Sequence, residues 1–246
     1  MPERSKGAIA VTGSSRGIGA TIALELAARG FAVGCLSRGG GRPAGAPSEE
    51  GFICAQCDVT DEASMRDALA AVADKAGGLA GLVNNAGIHR EARSRELTTA
   101  DYDEIMRTNA TSVMMVSREA YPHLEAAGGG RIVNIGSFFD KIGVPRNLAY
   151  CASKAAVGAM TRCLAAEWAK AGISVVNVAP GYIETDLNRE DLQSEKFQTW
   201  LKGRSPVARS GTPEEVARVV ASLFTEDVTF LTGETIYLDG GQGMAI

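Results

Sequence analysis

Short apolar runs recur along the chain, and between most of them the apolar positions repeat at helical spacing. Residues 7–12, G-A-I-A-V-T, stay apolar until the closing threonine. A strand buried on both faces of a parallel sheet reads as such a continuous run rather than as an alternation. Residues 31–36, 52–57, 131–135 and 174–178 follow the same pattern; residues 81–84 end another such run, and 235–238 form the last. Helical periodicity fills 18–28, 62–75, 98–127, 148–171 and 213–224, with a break near Thr108. Strands alternating with helices predict an α/β fold, a doubly wound parallel sheet of about seven strands covered on both faces.

Two segments depart from this rhythm. Residues 38–51, R-G-G-G-R-P-A-G-A-P-S-E-E-G, are too rich in Gly and Pro for a stable helix, although a parallel crossover ordinarily contains one. An irregular, mobile loop is expected there. Residues 183–205 are polar and mixed, and they follow the carboxyl end of a strand, where ligands of open α/β sheets bind. They read as a lid over substrate. No internal repeat or linker divides the 246 residues, so 1–246 is expected to be one domain.

Composition removes several function classes. Hydrophobic residues make up 45% and charged residues 22%, as in an ordinary globular protein. With a net charge of −4 and no basic run longer than two residues, there is no electrostatic footprint for nucleic acid. No stretch approaches the ~20 apolar residues of a membrane span, and M-P-E-R-S-K-G is too charged to begin a signal peptide. Five scattered cysteines predict a reducing, cytoplasmic setting rather than a disulfide framework. Cys54 and Cys57 match C-x-x-C, but they fall in a predicted strand with no second pair, and core packing is the expected role.

Candidate chemistry concentrates in two places. The first strand runs into T-G-S-S-R-G-I-G, residues 12–19. Gly13 permits a tight turn, Gly17 lets a pyrophosphate approach backbone at a helix N-terminus, and Gly19 lets helix and sheet pack closely. Further along, Tyr150 and Lys154 stand one helical turn apart, thirteen residues after Ser137. An ammonium beside a phenol favours the phenolate, so the tyrosine is expected to titrate below its usual ~10. Such a group exchanges a proton near neutral pH, and Ser137 can hold the oxygen of a carbonyl or alcohol.

T-G-x3-G-x-G, N-N-A-G at residues 84–87, Ser137, Y-x3-K at 150–154 and P-G at 180–181 stand in the order and spacing of the short-chain dehydrogenases/reductases, and the chain resembles the single-domain, Rossmann-type branch of that family from about Gly7 to Gly241. The resemblance implies an oxidoreductase that moves a hydride between a nicotinamide cofactor and a carbonyl or secondary alcohol. It implies that Tyr150 donates the proton, that Ser137 bonds the substrate oxygen, and that Lys154 both tunes Tyr150 and holds the nicotinamide ribose. It further implies that Asn109 anchors a relay water to the lysine; a residue kinking its helix by a local backbone bond is the alternative. Enoyl reductases of this fold separate Tyr and Lys more widely, and halohydrin-processing relatives replace the lysine. Neither change is present.

An NAD enzyme of this fold places an acid at the end of the second strand to bind the ribose hydroxyl. Here that end is Ser37-Arg38, and Arg16 lies in the glycine turn. Two guanidinium groups suit a 2′-phosphate, so NADP(H) is the expected cofactor, with Arg42 a further candidate cation. By resemblance Asp58 and Val59 border the adenine, although D-V-T-D also reads as a helix-capping segment. By the same resemblance Asn84, Asn85, Ala86 and Gly87 line the ribose side, and Thr185 meets the carboxamide. Ser15, Ile18, Pro180, Gly181 and Ile183 complete the expected cofactor set.

Phe138, Phe139, Val144, Asn147, Tyr182 and Leu187 are expected to shape the pocket, and His89 to be a partly exposed loop residue at its mouth. Overall the chain is most similar to 3-oxoacyl-[acyl-carrier-protein] reductases and related carbonyl reductases. Pro122 and Ala166, however, stand where arginines would dock an acidic carrier, and Glu125 has the wrong sign. A free small-molecule carbonyl or alcohol is therefore an equal expectation. A reading of another class is an NADP(H)-binding sensor or scaffold without turnover. The resemblance also implies a homo-oligomer, commonly a tetramer, with 98–127 and 148–171 at one interface and the last strand with G-G-Q-G-M-A-I at another.

Overall fold

A computed structural model describes residues 7–48, 50–186, 188–226 and 228–244. Leu187, Ala245 and Ile246, which figured in the expected pocket wall and interface, lie outside the described residues. Seven parallel strands form one sheet: β1 (Ala8–Thr12), β2 (Val33–Ser37), β3 (Phe52–Gln56), β4 (Leu79–Asn84), β5 (Gly130–Ile135), β6 (Ile173–Pro180) and β7 (Thr235–Leu238). Their spatial order is β3-β2-β1-β4-β5-β6-β7. The order reverses between β1 and β4, and crevices that bind ligands open at such points.

Helices cover both faces. α1 (Gly17–Ala28) and α8 (Pro213–Thr225) pack on one, burying Ile22, Leu26, Val216 and Val220 against Val11, Val83 and Val178. α2 (Glu62–Ala76), α4 (Ser112–Ala126) and α5 (Leu148–Trp168) cover the other, burying Met65, Leu69, Val116, Leu124 and Ala165 against Leu82, Ile132 and Val175. This two-sided burial is why the central strands read as unbroken apolar runs. Among its described residues the link between β2 and β3 contains no helix, as its Gly and Pro content predicted.

The predicted break at Thr108 is also present. α3 (Thr99–Met106) passes through one π-helical turn, Arg107–Thr111, into α4. Such turns are rare and often mark functional sites. Here the widened turn carries Asn109, which is 1% exposed. Beyond β6, the predicted lid segment holds two short helices, α6 (Arg189–Gln193) and α7 (Glu195–Lys202).

Candidate active site

A cavity of about 770 Å³ opens at the reversal of strand order. Its walls are loops that leave the carboxyl ends of strands. Gly13, Ser15, Arg16, Gly17, Ile18 and Gly19 come from the turn after β1, and Ser37 and Arg38 from the end of β2. Asp58 and Val59 follow β3, Asn85, Ala86 and Gly87 follow β4, and Thr185 follows β6. All were predicted. Glu104, Arg107 and Thr108 also line the cavity, and no sequence motif marks them. Only the packing of the π-helical turn against the β4 loop brings them in.

The glycine turn fits a dinucleotide phosphate. A Cβ on Gly19 would lie 2.3 Å from the Gly13 carbonyl oxygen and from Asn85 Nδ2, so any side chain there would push the helix off the sheet. Gly17 has φ 56°, and a Cβ there would meet only Thr185 Cγ2, at 3.9 Å, so the space above its backbone is open. Helix α1 starts from Arg16 with no side-chain cap and no acid in its first turn. Its first N–H groups and dipole are thus available to an anion. Thr12 Oγ1 accepts from the N–H groups of Asn85 (3.0 Å) and Ala86 (3.1 Å), which ties the β4 loop to this turn.

At the adenosine end, Ser37 is 6% exposed and its Oγ has no hydrogen-bond partner. Arg16 and Arg38 are exposed on the same wall. Asp58 accepts from the Thr60 hydroxyl (2.7 Å) and N–H (2.9 Å). Those bonds, with smaller help from Arg38 and Arg107, hold its carboxyl below the usual range. Asp61, not Asp58, is the cap of α2, accepting from Ala63 and Ser64.

The Ser137, Tyr150 and Lys154 side chains converge between β5 and α5. Ser137 leaves β5 in extended conformation and accepts from the Phe139 N–H (3.3 Å). Tyr150 lies in the first turn of α5 and Lys154 one turn on, its Nζ 5.6 Å from the phenol ring centroid. Lys154 Nζ donates to the Ile135 carbonyl (2.8 Å). The expected lowering of the phenol pKa is not found. Burial pushes Tyr150 up to about 12, against a smaller opposing contribution from its hydrogen bond with Ser137. Burial also pushes Lys154 down to about 8. At this site desolvation sets both directions, and the lysine, itself desolvated, does not hold the phenol below its usual value. At neutral pH the phenol therefore carries its proton.

Several other expected site residues stand apart from the walls of this cavity. Tyr150 and Lys154 are not among the walls of the large cavity. Gly181 and Ile183 border a different cavity of about 170 Å³, with Tyr182 and Arg209, and Pro180 is buried at the end of β6, in register with Leu238. Asn84 is not at the ribose: its Nδ2 donates to Ser117 Oγ and Asn134 Oδ1 (both 2.9 Å) beneath α4. Asn109, expected to anchor a relay water to Lys154, faces the loop after β4. Its Oδ1 accepts from the Ile88 N–H, and its Nδ2 donates to the Ile88 carbonyl (both 2.8 Å) and to Ser153 Oγ (3.2 Å). It clamps the loop after β4 from a distance, which local helix-kink chemistry does not anticipate. His89 is exposed as expected, but it packs edge-on against Tyr150 with centroids 4.8 Å apart and bonds Asn147. Phe139 meets the Tyr150 ring at 5.9 Å and Tyr182 at 6.0 Å.

The family profile described as enoyl-(acyl carrier protein) reductase matches residues 13–242. The 3-oxoacyl-[acyl-carrier-protein] reductase MabA of Mycobacterium tuberculosis is 37% identical over 96% of this chain and 92% of its own length. The gluconate 5-dehydrogenase of Gluconobacter oxydans is 35% identical over 94% and 92%. Among solved structures, a gluconate 5-dehydrogenase from Burkholderia cenocepacia in complex with NADP and tartrate superposes with a TM-score of 0.85, at 32% identity, covering 99% of this chain and 98% of that one. A doubly wound parallel sheet with a glycine turn at its ligand crevice is the architecture of dinucleotide-binding enzymes. The chain belongs to the short-chain dehydrogenase/reductase family, whose members bind a nicotinamide cofactor and act on CH–OH and carbonyl groups.

Proposed function

We propose that this chain is an NADP(H)-dependent oxidoreductase that interconverts a carbonyl and a secondary alcohol through Ser137, Tyr150 and Lys154, with Asn109 in support. The observation that carries the reading is the hydrogen bond between Tyr150 and Ser137, one helical turn from Lys154. NADPH, when bound, supplies the hydride. Tyr150 then donates its proton to the oxygen on which negative charge develops, and the Ser137 hydroxyl hydrogen-bonds to that oxygen. Both contacts strengthen in the transition state, where they lower the barrier. Lys154, held by the Ile135 carbonyl, places a positive charge behind the phenol that stabilises the phenolate left by proton transfer.

The preference for NADP(H) is supported by Arg16, Arg38 and the unpartnered Ser37 hydroxyl on one cavity wall, with no carboxylate at the end of β2. The gluconate 5-dehydrogenase neighbour binds NADP. Residues 183–205, with α6 and α7, form the proposed lid, and Phe197 and Trp200 pack on Tyr182 at 5.1 and 5.7 Å. No helix among the described residues is long and apolar enough to cross a membrane, and the scattered free cysteines support a cytoplasmic setting. Exposed Met114 on α4 and Leu148 on α5 support helix pairing in a homotetramer.

A free carbonyl compound is favoured over a carrier-bound acyl group. Glu125 sits on α4, where it accepts from the Tyr121 hydroxyl (2.7 Å), and Pro122 beside it offers no cation to an acidic carrier. The test is oxidation of NADPH and NADH with a panel of ketones, aldehydes and acyl thioesters. Tyr150→Phe is expected to lower turnover at least ~100-fold while nearly keeping NADPH affinity. Unchanged turnover would remove the mechanism. Tight NADPH binding with no turnover of any substrate by the natural enzyme would favour a sensor.

A further inference from the structure

We infer that His89, held by Asn147, reads a hydroxyl on the carbon next to the reacting carbonyl, so that the preferred substrate is an α-hydroxy ketone with an apolar or aromatic body. The inference rests on the reductase reading above. It starts from the hydrogen bond between His89 Nε2 and Asn147 Oδ1, 2.5 Å long. Asn147 is 4% exposed, and its Nδ2 donates to the Pro145 carbonyl (3.0 Å). That bond commits the amide nitrogen, so the oxygen is what faces the imidazole. Nε2 must then be the donor, and in the neutral ring Nδ1 is left as an acceptor. Nδ1 has no hydrogen-bond partner among the described residues.

The ring is held in place from several sides. Asn109 grips both backbone groups of Ile88, the residue before it. Further on, the Ala92 N–H donates to the Arg146 carbonyl (2.9 Å), and Glu91 pairs with Arg146 at 3.4 Å. Arg146 itself has φ 69°, a left-handed conformation that costs a non-glycine residue ~1–3 kcal/mol and that tends to occur at functional sites. The loop after β4 and the loop before α5 are thus latched together, with His89 edge-on to Tyr150. A second group of rings also reaches the phenol. Phe139, Tyr182, Phe197 and Trp200 form a continuous aromatic wall reaching α7. A ketone whose oxygen meets Tyr150 comes near both the exposed imidazole that packs edge-on to the phenol and the rings that begin at Phe139. A hydroxyl beside the carbonyl satisfies the acceptor, and a hydrocarbon body suits the rings.

The decisive comparison is 2-hydroxyacetophenone against propiophenone, which differ by a hydroxyl in place of a methyl. The natural enzyme is expected to favour the hydroxyketone at least ~10-fold in kcat/KM, because a site built to bond a hydroxyl discriminates against its absence. His89→Leu should lower kcat/KM for the hydroxyketone about tenfold more than for propiophenone. Should that variant fail to fold, NMR of the natural protein decides. With only two histidines in the chain, long-range ¹⁵N–¹H spectra are expected to show His89 as the Nε2–H tautomer, and Asn147→Ala to show a mixture. Equal kcat/KM for the two ketones, a preference that survives His89→Leu, or an Nδ1–H tautomer in the natural protein would overturn the inference while leaving the reductase reading intact. Preference for phenylglyoxylate over both ketones would put a carboxylate at His89 and overturn the hydroxyl assignment. If no carbonyl compound is reduced at all, both readings fall together.

Discussion

Replacing Ser37 by alanine should move two measurements in opposite directions. In the free protein its Oγ is buried without a partner, a state that costs ~1–3 kcal/mol. Alanine removes the stranded hydroxyl and leaves almost no cavity, so the free protein should gain ~1 kcal/mol. For a chain of this size that is a rise of ~2–4 °C in Tm. With NADPH the sign reverses. If the hydroxyl turns to the 2′-phosphate, its charge-assisted bond is worth ~1.5–3 kcal/mol, and losing it raises Kd ~10- to 100-fold. NADH has no such phosphate, so its Kd should change less than ~2-fold. Thermal denaturation with and without each cofactor measures both quantities, because a ligand that binds only the folded state raises stability with the logarithm of [L]/Kd. The reasoning fails if the free variant is less stable than the natural protein. It also fails if NADPH and NADH affinities fall together.

Two further outcomes follow from the site. Lys154 titrates near 8 rather than 10.5, so the folded state releases a proton that the unfolded chain holds until about 10.5. Its contribution to stability therefore rises between those pH values, and the opposite trend from Tyr150 begins near pH 10, where the unfolded phenol ionises. Lys154→Met should gain ~3 kcal/mol at pH 7 from removing the buried charge, less ~1 for leaving the Ile135 carbonyl unpaired, while turnover falls; chemical denaturation from pH 7 to 10.5 would reveal a fixed difference if the ammonium were not the cause. Gly19→Ala would set a methyl 2.3 Å from the Gly13 carbonyl, and it should cost ~3 kcal/mol or more and abolish NADPH binding; a stable variant that still binds NADPH would refute the packing argument.

Much of this protein was decided along the chain. Two-sided burial writes itself as unbroken apolar runs, so β1, β5 and β6 were visible as strands, and the Gly/Pro content of 38–51 argued against a helix. The glycine turn and the Ser137, Tyr150 and Lys154 set were legible because their chemistry depends on short, regular spacings. What escaped the sequence are the effects of placement. Burial, a property of everything packed around a residue, reversed the expected direction for Tyr150. Asn109 found its partners at Ile88, 21 positions away, across a π-helical turn. His89 and Asn147, 58 positions apart, became neighbours only because two loops close over the same phenol. Local spacing determines which groups can react, whereas desolvation and long-range hydrogen bonds are properties of the folded volume and arise only once the sheet has brought distant loops to one edge.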